Sequence, residues 1–492
     1  MDQLDSINDD NKTGAVIGQE ENDLPELLTA LDPVAEKKLL RKMDLHVVVP
    51  VSILFLLNFL DRTNIGNAKI QGLVQDLKMT GSDYNVALMI FFVPYILFEV
   101  PSNVIIKRVA PSSWLCGIMF MWGIVTLAQG FVKSFGSFVG LRFLVGLFEA
   151  GFSPGCVYLI SMYYKRYELQ WRLSIFFSAS ILAGAFGGLF AYALSQMAGI
   201  SGYNGWRWIF IIEGLVTVLF AMAFKFVVVD WPETAKFLTP TERTMVIQRL
   251  AADTGMAKMD TLDGRAARRI FSDWKIYCGT FMYMGVVTTG NANIFFITTI
   301  IKEMGFTSTA SQIRSIPIFL SSALTGLIAA YFADRLRHRY TFTMLGIVVA
   351  AVGYIILFNQ DKVSVGVEYF ACFLITNGGF ISQPVIWTWL NNNVSGHYKR
   401  SVSVAVQIGF GNVGGIVASN IFITSQSPRY PVGYGVSLGM LIMSGVLCTV
   451  FVFGLQMENR KRDRGGRDYR YAEGEEALAN MGDDHPDFRF TY

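Results

Sequence analysis

The chain has 492 residues, of which 52% are hydrophobic and only 16% are charged. With a mean hydropathy of +0.40, this composition excludes an ordinary soluble protein and indicates one that lies mostly within a lipid bilayer. The net charge of +3 is small, and we expect no nucleic-acid partner, cofactor or metal. The chain has no phosphate-binding loop, zinc-protease motif or hydrolase triad, so we do not expect an enzyme.

The first 42 residues precede any apolar stretch and hold no signal-peptide core, so the first membrane span is expected to target the chain. Residues 1–32 are acidic and polar, which predicts disorder. The segment 33–44 has the pattern of a short amphipathic helix that leads into the first span.

Twelve apolar stretches follow, and each is long enough to cross a bilayer. Their predicted cores are 43–62, 84–106, 113–132, 139–163, 172–197, 207–229, 275–300, 313–333, 341–358, 366–388, 401–424 and 433–455. The predicted organisation is an N-terminal tail (1–42), a six-helix bundle (43–229), a linker (230–274), a second six-helix bundle (275–456) and a C-terminal tail (457–492). The fold class is therefore an all-α membrane protein.

Lysine and arginine concentrate in every second connection, which by the positive-inside rule predicts a multi-pass protein of the cell membrane with both termini in the cytoplasm. Within the linker, TPTERTMVIQRLAAD predicts a helix capped by Thr239 or Thr241. The tail 457–492 is charged and contains glycine, and we expect it to be flexible.

The two halves are related by an internal repeat. A shift of 227 residues lays 172–191 on 399–418, the fifth predicted span of each half. The shift aligns three glycine pairs, Gly184 with Gly411, Gly187 with Gly414 and Gly188 with Gly415. Paired halves of this kind predict alternating access around a central site between them.

Arg142 and Glu149 carry the strongest functional signal, because both lie within the otherwise apolar stretch 140–164. Seven residues make nearly two helical turns, so the two side chains share a face about 10 Å apart along the axis. Charges at bilayer depth normally face a bundle interior or a wet cavity. The pair is suited to an anion site coupled to a proton; the alternative is a structural ion pair that locks helices together.

Other polar residues in the spans are weaker candidates. Glu99 is a second candidate proton carrier, or it hydrogen-bonds a neighbouring helix end. Glu213, six residues after Arg207, is expected to serve packing or capping. The second half is nearly free of buried charge, and its amides are candidate substrate ligands or links between helices: Asn291, Asn377 and Gln407.

Five segments resemble the major facilitator superfamily, and within it the anion:cation symporter family and its fungal allantoate and nicotinate permease branch. They are LDRTNIGNAKIQGL (60–73), FFVPYILFEVPSNVIIKRVAPSSWL (91–115), GLRFLVGLFEAGFSPGC (140–156), WRWIFIIEG (206–214) and DWPETAKFLTPTER (230–243). The resemblance covers about residues 33–460 and implies two six-helix bundles related by a pseudo-two-fold axis.

The resemblance also implies roles for particular residues. Arg62 matches a family arginine near the outer end of the first helix, where Asp61 beside it could neutralise it; the alternative is an interfacial snorkelling arginine. Arg62 and Arg142 would recognise the anion, and Glu149 would couple it to a proton. The superfamily's gating signature is altered in this chain: Asn103 and Lys107 stand where glycine and aspartate would be, and Ala330 replaces glycine before the retained Asp334 and Arg335. The gating candidates are Lys107, Asp334 and Arg335.

The function that we expect is proton-coupled uptake of a small organic anion, such as a carboxylate vitamin like nicotinate or a ureide like allantoate. One alternative is efflux of an acidic secondary metabolite made by a biosynthetic gene cluster. An alternative of another class is a nutrient receptor that binds without transport. The expected partners are the anion, protons and the lipid bilayer, and the expected state is a monomer.

Overall fold

The structure, a computed structural model, describes residues 33–492 apart from 107, 256–269, 337, 396 and 474–480. In this part of the chain all regular structure is helical. The first half contains α1 (Pro33–Met43), α2 (Val49–Ala68), α3 (Asp83–Ile106), α4 (Pro111–Gln129), α5 (Phe135–Glu149), α6 (Phe152–Ser161), α7 (Arg166–Ser195) and α8 (Gly205–Phe224). A linker helix, α9 (Pro240–Gly255), follows, and then α10 (Trp274–Glu303), α11 (Ser308–Leu336), α12 (Arg339–Phe358), α13 (Val365–Asn392), α14 (His397–Ile421) and α15 (Pro431–Asp463).

Eleven segments of the described chain are long and apolar enough to cross a membrane. The helix α3 takes the place of the remaining predicted span, the second. Two of the spans that carry candidate site residues differ from the prediction. The first continues through Arg62 to Ala68, and the fourth is divided at Ala150–Gly151 into α5 and α6. The first span extends further than predicted because its polar residues Thr63 and Asn64 are buried against protein rather than exposed to water.

The two halves pack against each other in a reciprocal pattern. The second helix of the first half, α3, packs on the fifth helix of the second half, α14. In the equivalent way α7, the fifth helix of the first half, packs on α11, the second helix of the second half. The first helices of the two halves, α2 and α10, also meet. A two-fold axis between the halves generates this pairing.

The repeated glycines explain how the halves approach so closely. A Cβ on Gly188 of α7 would lie 2.8 Å from Oγ of Ser315 on α11. A Cβ on its repeat mate, Gly415 of α14, would collide with the ring of Phe92 on α3. Each glycine therefore stands where a fifth helix touches a second helix of the other half, as small residues do in membrane helix interfaces.

One end of the two bundles carries α1, α9 and the last residues of the chain; we call it the tail end, and the opposite one the far end. In the first half, α9 packs at the tail end. Its Thr239 cap is confirmed, since Oγ1 of Thr239 accepts from the backbone N–H of Glu242 at 3.3 Å. Arg249, 2% exposed, donates to Glu36 of α1 at 2.8 Å and to Glu168 of α7 at 2.6 Å.

The expectation of a flexible tail over 457–492 is wrong for the residues that the structure describes. The helix α15 continues to Asp463, and the segment Met481–Tyr492 is docked on the tail end of the second half. Its Asp483 is fully buried and Phe490 is 5% exposed. The charge of the segment misled the prediction, because those charges meet opposite charges on the helix ends instead of water. The predicted disorder of 1–32 lies outside the described residues.

Candidate functional site

Arg62, on α2, forms a buried ion pair with Glu149 at the end of α5. Its Nε donates to Oε1 of Glu149 at 2.9 Å, and Nη2 donates to the same oxygen. The guanidinium carbon lies 5.0–5.1 Å from the ring centres of Phe59, Phe91 and Tyr95. Because the Glu149 side chain is only 1% exposed, removal of either partner would leave a charge buried without compensation.

Arg142 lies in the same half, on α5, and is 3% exposed. Its guanidinium carbon is 5.6 Å from the ring centres of both Phe138 and Phe210. Within the described residues, its Nε and Nη2 have no hydrogen-bond acceptor. The alternative of a structural ion pair between Arg142 and Glu149 is therefore wrong for this conformation: the hydrogen bonds to Glu149 come from Arg62, and two donors of Arg142 have no acceptor among the described residues.

Asp61 does not neutralise Arg62, although the two are adjacent in sequence. Successive residues of a helix point about 100° apart, so Asp61 faces a different side of α2 from Arg62, towards α4 and α8. Its Oδ2 accepts from Nε1 of Trp122 at 3.1 Å and from Oγ1 of Thr217 at 2.8 Å. Asp61 is 4% exposed, so α2 carries a deeply buried carboxyl of its own, and the sequence reasoning missed this burial. The available signal was an acidic residue inside an apolar span.

Glu213, on α8, is also buried, with 4% exposure. It accepts a hydrogen bond from the Asn64 amide on α2. Arg207, which the sequence placed near it, instead binds Asp76 at 2.9 Å at the far end. The packing role expected for Glu213 fits its contact with Asn64.

Glu99, on α3, stands one helical turn after Tyr95 and is 6% exposed. Within the described residues its Oε2 has no hydrogen-bond partner, and the alternative of a bond to a helix end stays a prediction. It lies on the tail-end side of the Arg62–Glu149 pair. Its role as a second proton carrier stays a prediction.

The three amides of the second half differ in their contacts. Gln407 is fully buried and links α14 to α10 through a 3.4 Å bond from Nε2 to the carbonyl of Gly279. The oxygen of Asn377 accepts from two hydroxyls of α11, at 3.1 and 3.3 Å. Asn291 is half-buried on α10. Of the three, Asn377 and Gln407 therefore join helices in this conformation, and binding to substrate stays a prediction for all three.

The predicted gating residues are only partly described. Lys107 and the side chain of Asp334 lie outside the described part of the chain. Arg335 is exposed and donates to the hydroxyl of Tyr331, one turn earlier on the same helix, at 3.1 Å. A gating role for these residues stays a prediction.

The two halves are sealed together at the far end. Asn85 of α3 donates to the carbonyls of Ser419 and Phe422 at 2.6 and 3.2 Å. Ser308 of α11 donates to the carbonyl of Ile70 at 2.8 Å. In the tail-end half, the rings of Phe177 on α7 and Trp387 on α13 meet edge to face, 4.7 Å apart. The buried charges thus lie between a polar seal and an aromatic contact.

Residues 51–419 match the family model described as Major Facilitator Superfamily. The chain belongs to the major facilitator superfamily. It is 37% identical to an "Uncharacterized transporter C11D3.18C" of Schizosaccharomyces pombe, over 94% of this chain and 91% of that protein. It is 34% identical to the "MFS-type transporter cnsO" of Penicillium expansum, over 93% of this chain and 91% of that one.

Solved structures agree on the fold of this family member. A bacterial homologue of the human lysosomal transporter Spinster, in an inward-facing and occupied conformation, superposes with a TM-score of 0.63. The two are 15% identical, and the match covers 83% of this chain and 96% of the other. The protein is therefore a multi-pass membrane transporter with the major facilitator fold, and not an enzyme.

Proposed function

We propose that this major facilitator is a symporter of the anion:cation type that takes up a small organic carboxylate together with a proton. The observation that carries the proposal is the pair of unsatisfied donors on Arg142. Nε–H and Nη2–H form one edge of a guanidinium, and two parallel donors of this kind match the two oxygens of a carboxylate. A buried donor without an acceptor raises the free energy of the protein. An anion that enters the site supplies the hydrogen-bond acceptor that burial took away.

Glu149 supplies the coupling to a proton. While Glu149 is ionised it holds Arg62 through two hydrogen bonds to one oxygen. Protonation of Glu149 removes that charge and releases Arg62, which then offers the substrate a second cation beside Arg142. Conversely, a substrate carboxylate that attracts Arg62 weakens the hydrogen bonds from Arg62 to Glu149. Glu149 then binds a proton more readily. Binding of the anion and of the proton therefore support each other, as linkage requires.

Alternating access follows from how the halves meet. The far-end seal and the ring contact between Phe177 and Trp387 lie on opposite sides of the buried charges. We infer that rocking of one bundle against the other breaks these contacts in turn and exposes Arg142 first to one side and then to the other. A candidate contribution of the second half to substrate recognition is the half-buried Asn291 on α10.

The test is uptake by the purified protein in liposomes with an imposed pH gradient. The panel contains nicotinate, allantoate and other small carboxylates, and nicotinamide is the matched neutral control. We expect an acidic exterior to drive accumulation of at least one carboxylate and not of its amide. Equal transport of acid and amide, or accumulation that ignores the gradient, would contradict the proposal. Binding without counterflow would indicate a receptor, and export from intact cells would indicate efflux.

A further inference from the structure

The two halves carry a repeat-related ion pair at the tail end. Arg172, at the start of the fifth helix of the first half, donates to Asp44 before α2 at 2.6 Å. The repeat aligns Arg172 with Lys399, which begins the fifth helix of the second half. Lys399 lies 2.6 Å from Asp273, the residue that caps the first helix of that half. Each half thus ties its first helix to its fifth.

A segment from outside the bundle joins each of these ties, and the two segments differ. In the first half it is α9, whose buried Arg249 binds two acidic residues of α1 and α7. In the second half it is Met481–Tyr492, which we call the strap. Its buried Asp483 accepts from Lys399 at 2.9 Å and also from Lys275 of α10.

The strap makes further contacts along its whole length. Arg462 of α15, 4% exposed, donates to the strap carbonyls of Asp483 and Phe488 at 2.9 and 2.7 Å. Asn459, one turn earlier on α15, forms a pair of hydrogen bonds with the backbone of Phe490, at 2.9 and 3.0 Å. The ring of Phe490 in the strap also lies beneath two cations. Arg462 and Lys275 stand over it, at 4.6 and 4.3 Å from the ring centre.

The end of the strap reaches two more helices. The carbonyl of Thr491 accepts from the Trp389 indole of α13 and from the amide of Asn393, which caps that helix, both at 3.0 Å. The carbonyl of Tyr492 accepts from the backbone N–H of Arg339 at the start of α12, at 2.8 Å. In all, the strap binds α10, α12, α13, α14 and α15. Trp389 is two residues from Trp387, so the strap also anchors the part of α13 that touches the other half.

We propose that the strap is the tie that makes the second bundle move as one body at its tail end, as α9 does for the first bundle. Without the strap, Lys275 and Lys399 would share Asp273 alone. The start of α12 and the ends of α13 and α15 would also lose hydrogen-bond partners. The first and fifth helices of the bundle could then separate locally while the first bundle stayed closed. This inference is independent of the substrate and of proton coupling.

Two buried cysteines report on the two tail ends separately. Cys278 lies one turn into α10, three residues after the strap-binding Lys275; its Sγ donates to the carbonyl of Leu447 on α15 at 3.5 Å, and it is 9% exposed. Cys116 lies near the start of α4, at the tail end of the first bundle, and is 3% exposed. A thiol that is buried in this way reacts with a maleimide only when the surrounding helices open. Its rate of modification therefore measures local opening of its own bundle.

The experiment compares Asp483→Asn with the wild-type full-length protein in detergent, treated with N-ethylmaleimide and analysed by peptide mass spectrometry. We expect modification of Cys278 to rise about tenfold or more, because a buried ion pair has lost one partner, and that of Cys116 to stay within about twofold. Asp487→Asn is the matched control, since the Asp487 carboxylate belongs to the same segment but is 75% exposed.

Two further variants complete the test. Asn459→Ala removes strap contacts without changing charge and should also raise modification of Cys278 selectively. Arg249→Gln should do the reverse, exposing Cys116 and sparing Cys278. Equal exposure of both cysteines in Asp483→Asn, or no change at Cys278 in Asp483→Asn and Asn459→Ala, would overturn the proposal. If Asp483→Asn fails to fold, the result for Asn459→Ala decides alone.

Discussion

Arg142 is a cation held among aromatic rings with part of its hydrogen-bonding capacity unused. We predict that Arg142→Lys reaches the membrane but binds its carboxylate at least about 30-fold more weakly, the equivalent of about 2 kcal/mol, because an ammonium cannot form the paired contact. Arg142→Ala should lose transport completely. Uptake at a fixed pH gradient measures both, with the exposed Arg429→Lys as control. Near-normal uptake by Arg142→Ala would disprove the anion site.

Glu149 is held by Arg62, and glutamine at this position imitates the protonated carboxyl. We predict that Glu149→Gln still exchanges substrate in counterflow, since Arg62 is permanently released. It should not accumulate substrate against a gradient, and its transport should lose dependence on external pH. Counterflow and concentrative uptake are measured at acidic and neutral external pH, beside the exposed Glu303→Gln. Wild-type accumulation by Glu149→Gln would move proton coupling to another carboxyl, with Glu99 first.

The sequence identified the important residues of the site better than their pairing. A charge inside an apolar stretch is visible in one dimension, and this gave Arg142 and Glu149, whereas Arg62 came from the family resemblance. Which carboxylate meets which guanidinium depends on how α2 and α5 are rotated about their axes when they pack. That rotation is set by distant contacts, so the pairing of Arg62 with Glu149, and the burial of Asp61, could not be deduced from spacing alone.

At the scale of helices, Gly188 and Gly415 are two of the glycines at which the halves approach closely. We predict that Gly188→Ala and Gly415→Ala each lower the unfolding temperature and slow transport. The added methyl group would press on Ser315 or on the Phe92 ring, and overpacking of this kind costs about 1–3 kcal/mol. Thermal unfolding and uptake rates measure the effects. Gly409→Ala on α14, where the added group meets open space, should behave like the wild type.

The strap should also make stability depend on pH. Burial opposes ionisation of Asp483, but the ammonium groups of Lys275 and Lys399 outweigh it and hold the pKa of this carboxyl below its usual range. A lowered folded-state pKa stabilises the protein above the unfolded value of about 4, and the contribution disappears as the pH falls through the folded value. The difference in unfolding temperature between wild type and Asp483→Asn should therefore be constant from about pH 5 to 8 and shrink below about pH 4. A difference that grows in acid would contradict this assignment.

Most helices could be predicted because a bilayer-spanning helix needs a long apolar run and the chain supplies twelve. The boundaries were less accurate wherever polar residues are satisfied by protein. Thr63 and Asn64 extend α2 beyond the predicted end for this reason. The strap was missed for the same physical reason, since a charged segment counts as solvated until its partners on other helices are known.

At the scale of the whole molecule, the positive connections predict that the tail end faces the cytoplasm. We expect an epitope tag at Met1 to be detected only after permeabilisation of cells. A second tag in the far-end turn Gln360–Lys362 should be detected in intact cells and serves as the internal control. Labelling of the Met1 tag in intact cells would reverse the orientation and place the far-end seal on the cytoplasmic side.

The paired halves are the part of the architecture that the sequence predicted most directly, because the fifth helices align glycine for glycine. The reciprocal packing of α3 with α14 and of α7 with α11 agrees with that repeat. What the repeat could not indicate is which contacts are made in a given conformation. The repeat alignment gives no reason to select Phe177 and Trp387. Only the structure shows that their rings are in contact.

The ties at the tail end also bear on how such a chain arose. The pairs Arg172–Asp44 and Lys399–Asp273 occupy corresponding places, as expected of a feature present in one ancestral half before it was duplicated. The outside segments that join these pairs carry opposite charges. The helix α9 brings the guanidinium of Arg249 to carboxylates, and the strap brings the carboxylate of Asp483 to ammonium groups. Each half therefore has its own fastening, and we expect a hybrid built from the halves of two related transporters to need each bundle together with its own fastening.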